Sequence, residues 1–188
     1  MVVKPRLETK TFPLSPRDTQ KSREIDDFYH KLLYWYYDRQ NLAKARPIAR
    51  RLERLLSGVS SDQQTILGEG AWSLVLECKG DLFGAIQRRE NEIQLIKRLL
   101  QISSKAPDPQ AILKHYDYSD LGDRLDLLAI LYHDAGNLEQ ALKVLRQSKL
   151  LCENHGIPFD GKDLLEDYLA AKGSTSRPSH KNSQKKAV

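Results

Sequence analysis

Apolar side chains recur at steps of three and four residues over most of this 188-residue chain. That spacing places them along one face of an α-helix. Turn-forming residues interrupt the pattern at Gln40-Asn41, Gly80-Asp81 and Gly136-Asn137. No segment alternates polar and apolar residues over a useful strand length. The sequence therefore predicts an all-α protein in which consecutive helices are paired by short turns.

Punctuating residues give the expected division of the chain. Residues 1–14 contain two prolines and no clean periodicity, which indicates an extended N-terminal arm. Ser15-Pro16 is typical of a helix start, and the chain is helix-compatible from there to Arg39. Residues 15–173 form the expected helical domain. Residues 174–188 are polar and basic, and we expect them to be a disordered tail.

Several helix ends are predicted from single residues. Pro47 should kink the second helix or delay its start. Residues 60–63 read as a capping box before the third helix, and Ser119 or Asp120 is the expected N-cap of a later one. A final helix is predicted from Asp160 to Lys172, with Gly173 at its C-cap position.

The third helix pair carries a recognisable pattern. Leu128-Ala129 is followed by an aromatic residue, Tyr132, a turn glycine, Gly136, and a small residue that opens the second helix, Ala141. This resembles the tetratricopeptide (TPR) consensus. The first pair is similar with Gln40 in place of the turn glycine. The second pair departs in its second helix, where Arg89 and Glu92 occupy positions that usually hold bulky and small residues.

The resemblance implies an α-α superhelix of about three TPR-like pairs, at irregular spacing, closed by the C-terminal helix as a cap. It also implies that the first helix of each pair lines a concave groove. The groove residues implied in this way mix aromatic and acidic groups, and are Tyr34, Tyr37, Asp38, Glu77, Asp126, Ile130, His133 and Asp134. Such a surface suits a basic or apolar peptide. Packing of Tyr34 and Tyr37 against the N-terminal arm is the alternative.

The positive charge of the chain is concentrated at its ends. The formal net charge is +5, yet residues 174–188 hold four basic and no acidic side chains. Residues 1–14 add a net +2, which leaves residues 15–173 close to neutral. Within that body the second helices are basic, and Arg46, Arg50, Arg54 and Arg88 form an alternative patch for nucleic acid or another anionic surface.

No catalytic motif is present in the sequence. His133-Asp134 could handle a proton and the nearby aspartates could form a paired-acid site, but a polar helix end and a solvated face explain them more simply. The cysteines, Cys78 and Cys152, are expected to be free and buried. No metal, cofactor or membrane span is predicted. We expect a cytoplasmic, non-catalytic scaffold or adaptor that binds a protein or peptide, while the oligomeric state stays open.

Overall fold

A computed structural model of the protein describes residues 16–58, 66–105 and 116–175. Within these ranges the regular structure is entirely helical, which confirms the predicted all-α class. The helices are α1 (Pro16–Leu33), a π-helical segment (Tyr34–Asp38), α2 (Leu42–Ser57), α3 (Ile66–Cys78), α4 (Leu82–Ser103), α5 (Tyr118–Asp134), α6 (Leu138–His155) and α7 (Lys162–Thr175). None of these described helices is long and apolar enough to cross a membrane.

The helices pack mainly on their neighbours in the chain. Short turns join α1 to α2, α3 to α4 and α5 to α6, and each of these pairs is in direct contact. Contacts of α2 with α3, and of α4 with α5, join one pair to the next, and α7 packs on α6. The predicted arm at residues 1–14 and the capping box at residues 60–63 lie outside the described residues, as does the tail from residue 176 onward.

The three hairpin turns share one backbone feature. Gln40, Gly80 and Gly136 have φ values of +46°, +82° and +78°, in the left-handed region. Glycine enters this region without steric cost, whereas a residue with a Cβ atom is strained there. Gln40 thus occupies the position that glycine fills in the other two turns, as the sequence pattern indicated.

The residue after each left-handed position caps the following helix. Its side-chain oxygen accepts a hydrogen bond from the backbone N–H three residues later, which satisfies a donor that the helix itself leaves unpaired. The three pairs are Asn41 with Lys44, Asp81 with Gly84, and Asn137 with Gln140.

The first turn contains one residue more than the other two. The Asn41 N–H donates to the carbonyl of Trp35, six residues earlier. The equivalent bonds of Asp81 and Asn137 reach back only five residues. The extra residue is accommodated by the π-helical segment, since a π-helix closes a wider ring than an α-helix. The continuous helix predicted up to Arg39 therefore ends as α-helix at Leu33.

The start of α5 differs from the prediction. Asp117, rather than Ser119 or Asp120, is the N-cap, and its side chain accepts from the backbone N–H groups of Ser119 and Asp120. Asp120 completes a capping box by accepting from the Asp117 N–H at 2.8 Å. The extended backbone of Asp117 allows both bonds, because a capping residue lies outside the helical region.

Two further predictions about helix ends are corrected. Pro47 lies inside α2 and does not delay its start, because Asn41 caps the helix at Leu42. Gly173 does not end α7, which begins at Lys162 and continues to Thr175. The left-handed C-cap is instead Gly156 at the end of α6, with a φ of +66°.

The described residues form two apolar cores. The first joins α1, α2 and α3 and includes Leu32, Leu52 and Leu74. The second joins α4 to α7 and includes Ile96 and Leu145. A layer of buried polar side chains from α3 and α4 separates the two cores, and consists of Glu69, Ser73, Glu77, Arg89 and Glu92.

Glu92 is the centre of this polar layer. Its side chain is 1% exposed, and its carboxylate accepts hydrogen bonds from Arg89 on the same helix and from Arg124 Nε on α5, the latter at 2.9 Å. Gly70 on α3 provides the space: a Cβ atom there would lie 2.5 Å from Glu92 Oε1. The absence of a side chain at Gly70 thus accommodates a buried carboxylate.

Replacement of the strained turn residue by glycine should stabilise the protein. We expect Gln40→Gly to raise the free energy of unfolding by about 0.5–1 kcal/mol, because relief of the left-handed strain exceeds the entropy gained by the unfolded chain. Gly136→Ala is the matched opposite and should lower it by about 1 kcal/mol. Urea denaturation measures both. A loss of stability in Gln40→Gly would contradict the proposed equivalence of the turns.

Removal of the Glu92 charge should be costly. We expect Glu92→Gln to lower the free energy of unfolding by about 3 kcal/mol or more, because two buried guanidinium groups lose their counter-charge. Glu166→Gln, at an exposed position on α7, should change it by less than about 0.5 kcal/mol. Chemical denaturation of the two variants provides the comparison, and equal small effects would show that the buried ion pair is dispensable.

Candidate functional site

The π-helical segment and the last turns of α3 and α5 carry most of the side chains predicted for the groove. Those of the π-helical segment, the end of α3 and the end of α5 come close together and are joined by one residue of α7. We call this set the acidic–aromatic cluster, and it consists of Tyr36, Tyr37, Glu77, His133, Asp134 and Tyr168.

Glu77 and Tyr37 form the buried part of the cluster. The Tyr37 hydroxyl lies 2.7 Å from each of the Glu77 carboxylate oxygens, and Glu77 is 4% exposed. Burial raises the pKa of Glu77 to about 7, against the opposing effects of the Tyr37 hydrogen bond and the positive charge of Arg89. Burial and the neighbouring Glu77 also raise the pKa of Tyr37. This hydrogen-bonded pair therefore holds α3 against the π-helical segment that follows α1.

Tyr36 and Asp134 extend the cluster toward the surface. Burial raises the pKa of Tyr36, and the negative charges of Glu77 and Asp134 act in the same direction. Asp134 likewise contributes to the raised pKa values of Glu77 and Tyr168. A single exposed carboxylate at the end of α5 thus lies within electrostatic reach of the ends of α1 and α3 and of α7.

His133 is held by an aromatic contact with the last helix. Its ring stacks on Tyr168 with a centroid distance of 4.3 Å and an interplanar angle of 7°. His133 Nδ1 lies 3.3 Å from Asp134 Oδ1. Burial, followed by the charges of Asp134 and Asp167, raises the pKa of Tyr168 to about 12. The predicted His-Asp pair is therefore present as a contact, with the ring face covered by tyrosine.

Three other predicted groove residues lie at the edge of this cluster. Tyr34 is 38% exposed, and its hydroxyl accepts a hydrogen bond from Arg39 Nε at 2.6 Å. Asp38 is exposed and Ile130 is half-buried. Tyr34 and Asp38 are the first and last residues of the π-helical segment, so both belong to the turn of the first hairpin that contains the extra residue.

Asp126 lies elsewhere, in the contact between α5, α6 and α7. A Cβ atom on Gly161 would lie 2.8 Å from both oxygens of its carboxylate. Burial raises the pKa of Asp126 to about 6, while hydrogen bonding from Ser148 and Gly161 opposes that rise. The loop before α7 therefore covers Asp126, and the sequence could not show this because Gly161 is distant along the chain.

The arginines of the alternative anionic patch divide into two groups. Arg46, Arg50 and Arg54 are exposed on α2 at four-residue intervals. Arg88 lies beside the first turn of α3, where it pairs with Glu69 at 3.0 Å and its guanidinium lies 5.9 Å from the Trp72 ring centroid. The structure therefore supports a patch on α2 without Arg88.

Among the described residues, no group of three or more His, Cys, Asp or Glu side chains is placed to hold a metal ion. Cys78 and Cys152 are free, with Cys152 buried and Cys78 half-buried. Burial raises the pKa of the Cys78 thiol to about 12, so this thiol is protonated at neutral pH and a poor nucleophile.

The sequence did not identify Tyr36 and Tyr168 as members of a site, because both fitted the apolar stripes of their helices. The buried Arg89–Glu92 pair did leave a signal, since both residues broke the repeat pattern at interior positions. Arg124, the second partner of Glu92, came from another helix pair and had no such signal.

No protein-family model matches this chain, and no curated protein and no solved structure matches it either.

The raised pKa of Glu77 predicts that the stability of the protein depends on pH. The folded-state pKa of Glu77, about 7, exceeds its ordinary value of 4.5, so protonated Glu77 stabilises the folded state. This stabilisation is complete below about pH 4.5 and is lost as the pH rises through about 7. Glu77→Gln should remove this loss. The free energy of unfolding of the variant minus that of the wild type should increase by roughly 2 kcal/mol between about pH 5 and pH 8. Urea denaturation at the two pH values measures this, and parallel stabilities would contradict it.

Proposed function

We propose that this protein is a non-catalytic interaction module, a small TPR-like scaffold or adaptor, and that it binds a basic peptide segment of a partner protein at the acidic–aromatic cluster. The observation that carries the proposal is the convergence of acidic and aromatic side chains from the ends of α1, α3 and α5 around Asp134.

The repeated hairpin supports the scaffold part of the proposal. Each of the three turns has a residue in the left-handed conformation, a capping residue directly after it and a leucine directly after the cap. Stacked hairpins of this kind bring the ends of their first helices to one side of the array, where they form an extended binding surface. The side chains at those ends differ in chemistry from one hairpin to the next, whereas the left-handed position and the cap recur in all three turns.

The chemistry of the cluster supports a cationic ligand. Asp38 and Asp134 are exposed carboxylates, and the π-helical segment that carries Asp38 also carries the exposed Tyr34 and the half-buried Tyr36. Lysine and arginine side chains are attracted both by carboxylates and by the faces of aromatic rings. The Tyr34 ring already makes such a contact with Arg39, whose guanidinium lies 5.2 Å from the ring centroid.

The positions of Glu77 and His133 favour binding over catalysis. Glu77 is buried and hydrogen-bonded to Tyr37, and one face of the His133 ring is covered by Tyr168. Both groups hold helices together, which leaves Asp38 and Asp134 as the exposed charges for a partner. Asp126 is covered by Gly161, so its substitution would test folding and not binding.

Selection from a random-peptide library on the full chain tests the proposed function. We expect the selected peptides to be enriched in lysine and arginine. Their affinity should fall at least about tenfold in Asp134→Lys, a loss of about 1.4 kcal/mol, because the central carboxylate is replaced by a like charge.

Asp163→Lys is the matched control, since Asp163 is an exposed aspartate in the first turn of α7 and lies outside the cluster. It should leave the affinity unchanged. Selection of acidic peptides, or equal losses in the two variants, would overturn the proposal.

A further inference from the structure

A second surface feature lies on the side of α3 that faces α2. A groove of about 480 Å³ separates the two helices at the end of α3, and it is lined by Arg46, Ala49, Arg50, Glu53, Cys78 and Lys79. None of these residues belongs to the acidic–aromatic cluster.

The charges in the groove are unbalanced. Lys79 Nζ lies 2.8 Å from Glu53 Oε1, so these two side chains neutralise each other. Arg46 and Arg50 form no ion pair with any side chain in the described part of the chain. They are four residues apart on α2, which places both guanidinium groups on one face of the helix. The groove therefore carries two uncompensated positive charges.

The end of α3 does not require these arginines. Its terminal carbonyls are satisfied by backbone groups of the turn: the Lys79 N–H donates to Val75 and Leu76, and the Gly80 N–H donates to Glu77. Arg46 does act on Cys78, where its charge opposes the rise in the thiol pKa. Because burial dominates and the thiol stays protonated, Cys78 offers no negative charge in return.

We infer that this groove binds the dianion of a phosphate monoester, held between Arg46 and Arg50. A phosphate monoester carries a charge of about −1.5 to −2 at neutral pH, which matches two guanidinium groups. A carboxylate would leave one of them uncompensated. The planar fork of arginine donates two parallel hydrogen bonds to phosphate oxygens. A groove of this volume also exceeds the roughly 30 Å³ share of a single water many times, so it accommodates the group that carries the phosphate.

Isothermal titration calorimetry on the full chain tests this inference. The probes are inorganic phosphate, a short phosphoserine peptide and the same peptide without phosphate, at constant ionic strength and about pH 7.5, above the second phosphoserine pKa of about 6. We expect the phosphorylated probes to bind with a Kd of roughly millimolar or tighter. Tighter binding of the peptide would identify a phosphorylated side chain as the source, whereas equal binding would identify free phosphate compounds.

Variants distinguish a specific phosphate site in the groove from nonspecific electrostatic attraction to the basic helix α2. Arg46→Gln/Arg50→Gln should weaken phosphate binding at least about tenfold. Arg54→Gln removes the next arginine on the same helix, outside the groove, and should leave the affinity within about twofold. Circular dichroism confirms that each variant is folded. No binding of the phosphorylated probes, equal binding of the unphosphorylated peptide, or equal losses in the single and double variants would overturn the inference.

Discussion

The buried carboxylate of Glu92 is the interaction on which the arrangement of the helices depends. It lies between two apolar cores, where removal of its charge from water is expensive unless the partners are fixed. Arg89 supplies one partner from the same helix and Arg124 supplies the other from α5. Because Gly70 leaves space only for the carboxylate, the ion pair also determines how closely α3 approaches α4. Apolar contacts alone would tolerate a shift of one helix along another, whereas the hydrogen bonds of Glu92 require Arg89 and Arg124 to stay in place.

The same polar layer connects packing to the acidic–aromatic cluster. Arg89 acts on Glu77 through its positive charge, and Glu77 in turn bonds to Tyr37. The exposed Asp134 thus stands above a chain of buried polar groups that reaches α4. A partner that neutralised Asp134 would change the electrostatic surroundings of Glu77, and through it the contact between α1 and α3. Under the proposed function, binding at Asp134 and the packing of the first two hairpins would therefore be coupled.

The sequence predicted what is determined locally and missed what depends on distant residues. The turns at Gly80 and Gly136, and the equivalent place of Gln40, could be located because φ preference and capping involve neighbouring residues. The π-helical segment could not, because its five residues at the end of a helix are too few to show a change of apolar period. Within the candidate site, Glu77 and Asp134 were each placed on first helices, but the closeness of Tyr36 and Tyr168 to Asp134 arises from tertiary packing. The cover over Asp126 has the same origin, since Gly161 follows it by more than thirty residues.

The boundary between the two cores runs through the middle hairpin, since α3 contributes mainly to the first core and α4 to the second. The boundaries of the hairpins and the boundaries of the apolar cores therefore do not coincide. In an ordinary stacked array a hairpin can be added or removed with its share of the interior intact. Here, removal of the middle hairpin would expose an interior on both sides of the cut, and a division of the chain between α3 and α4 would follow the cores while severing the ion pair of Arg88 with Glu69.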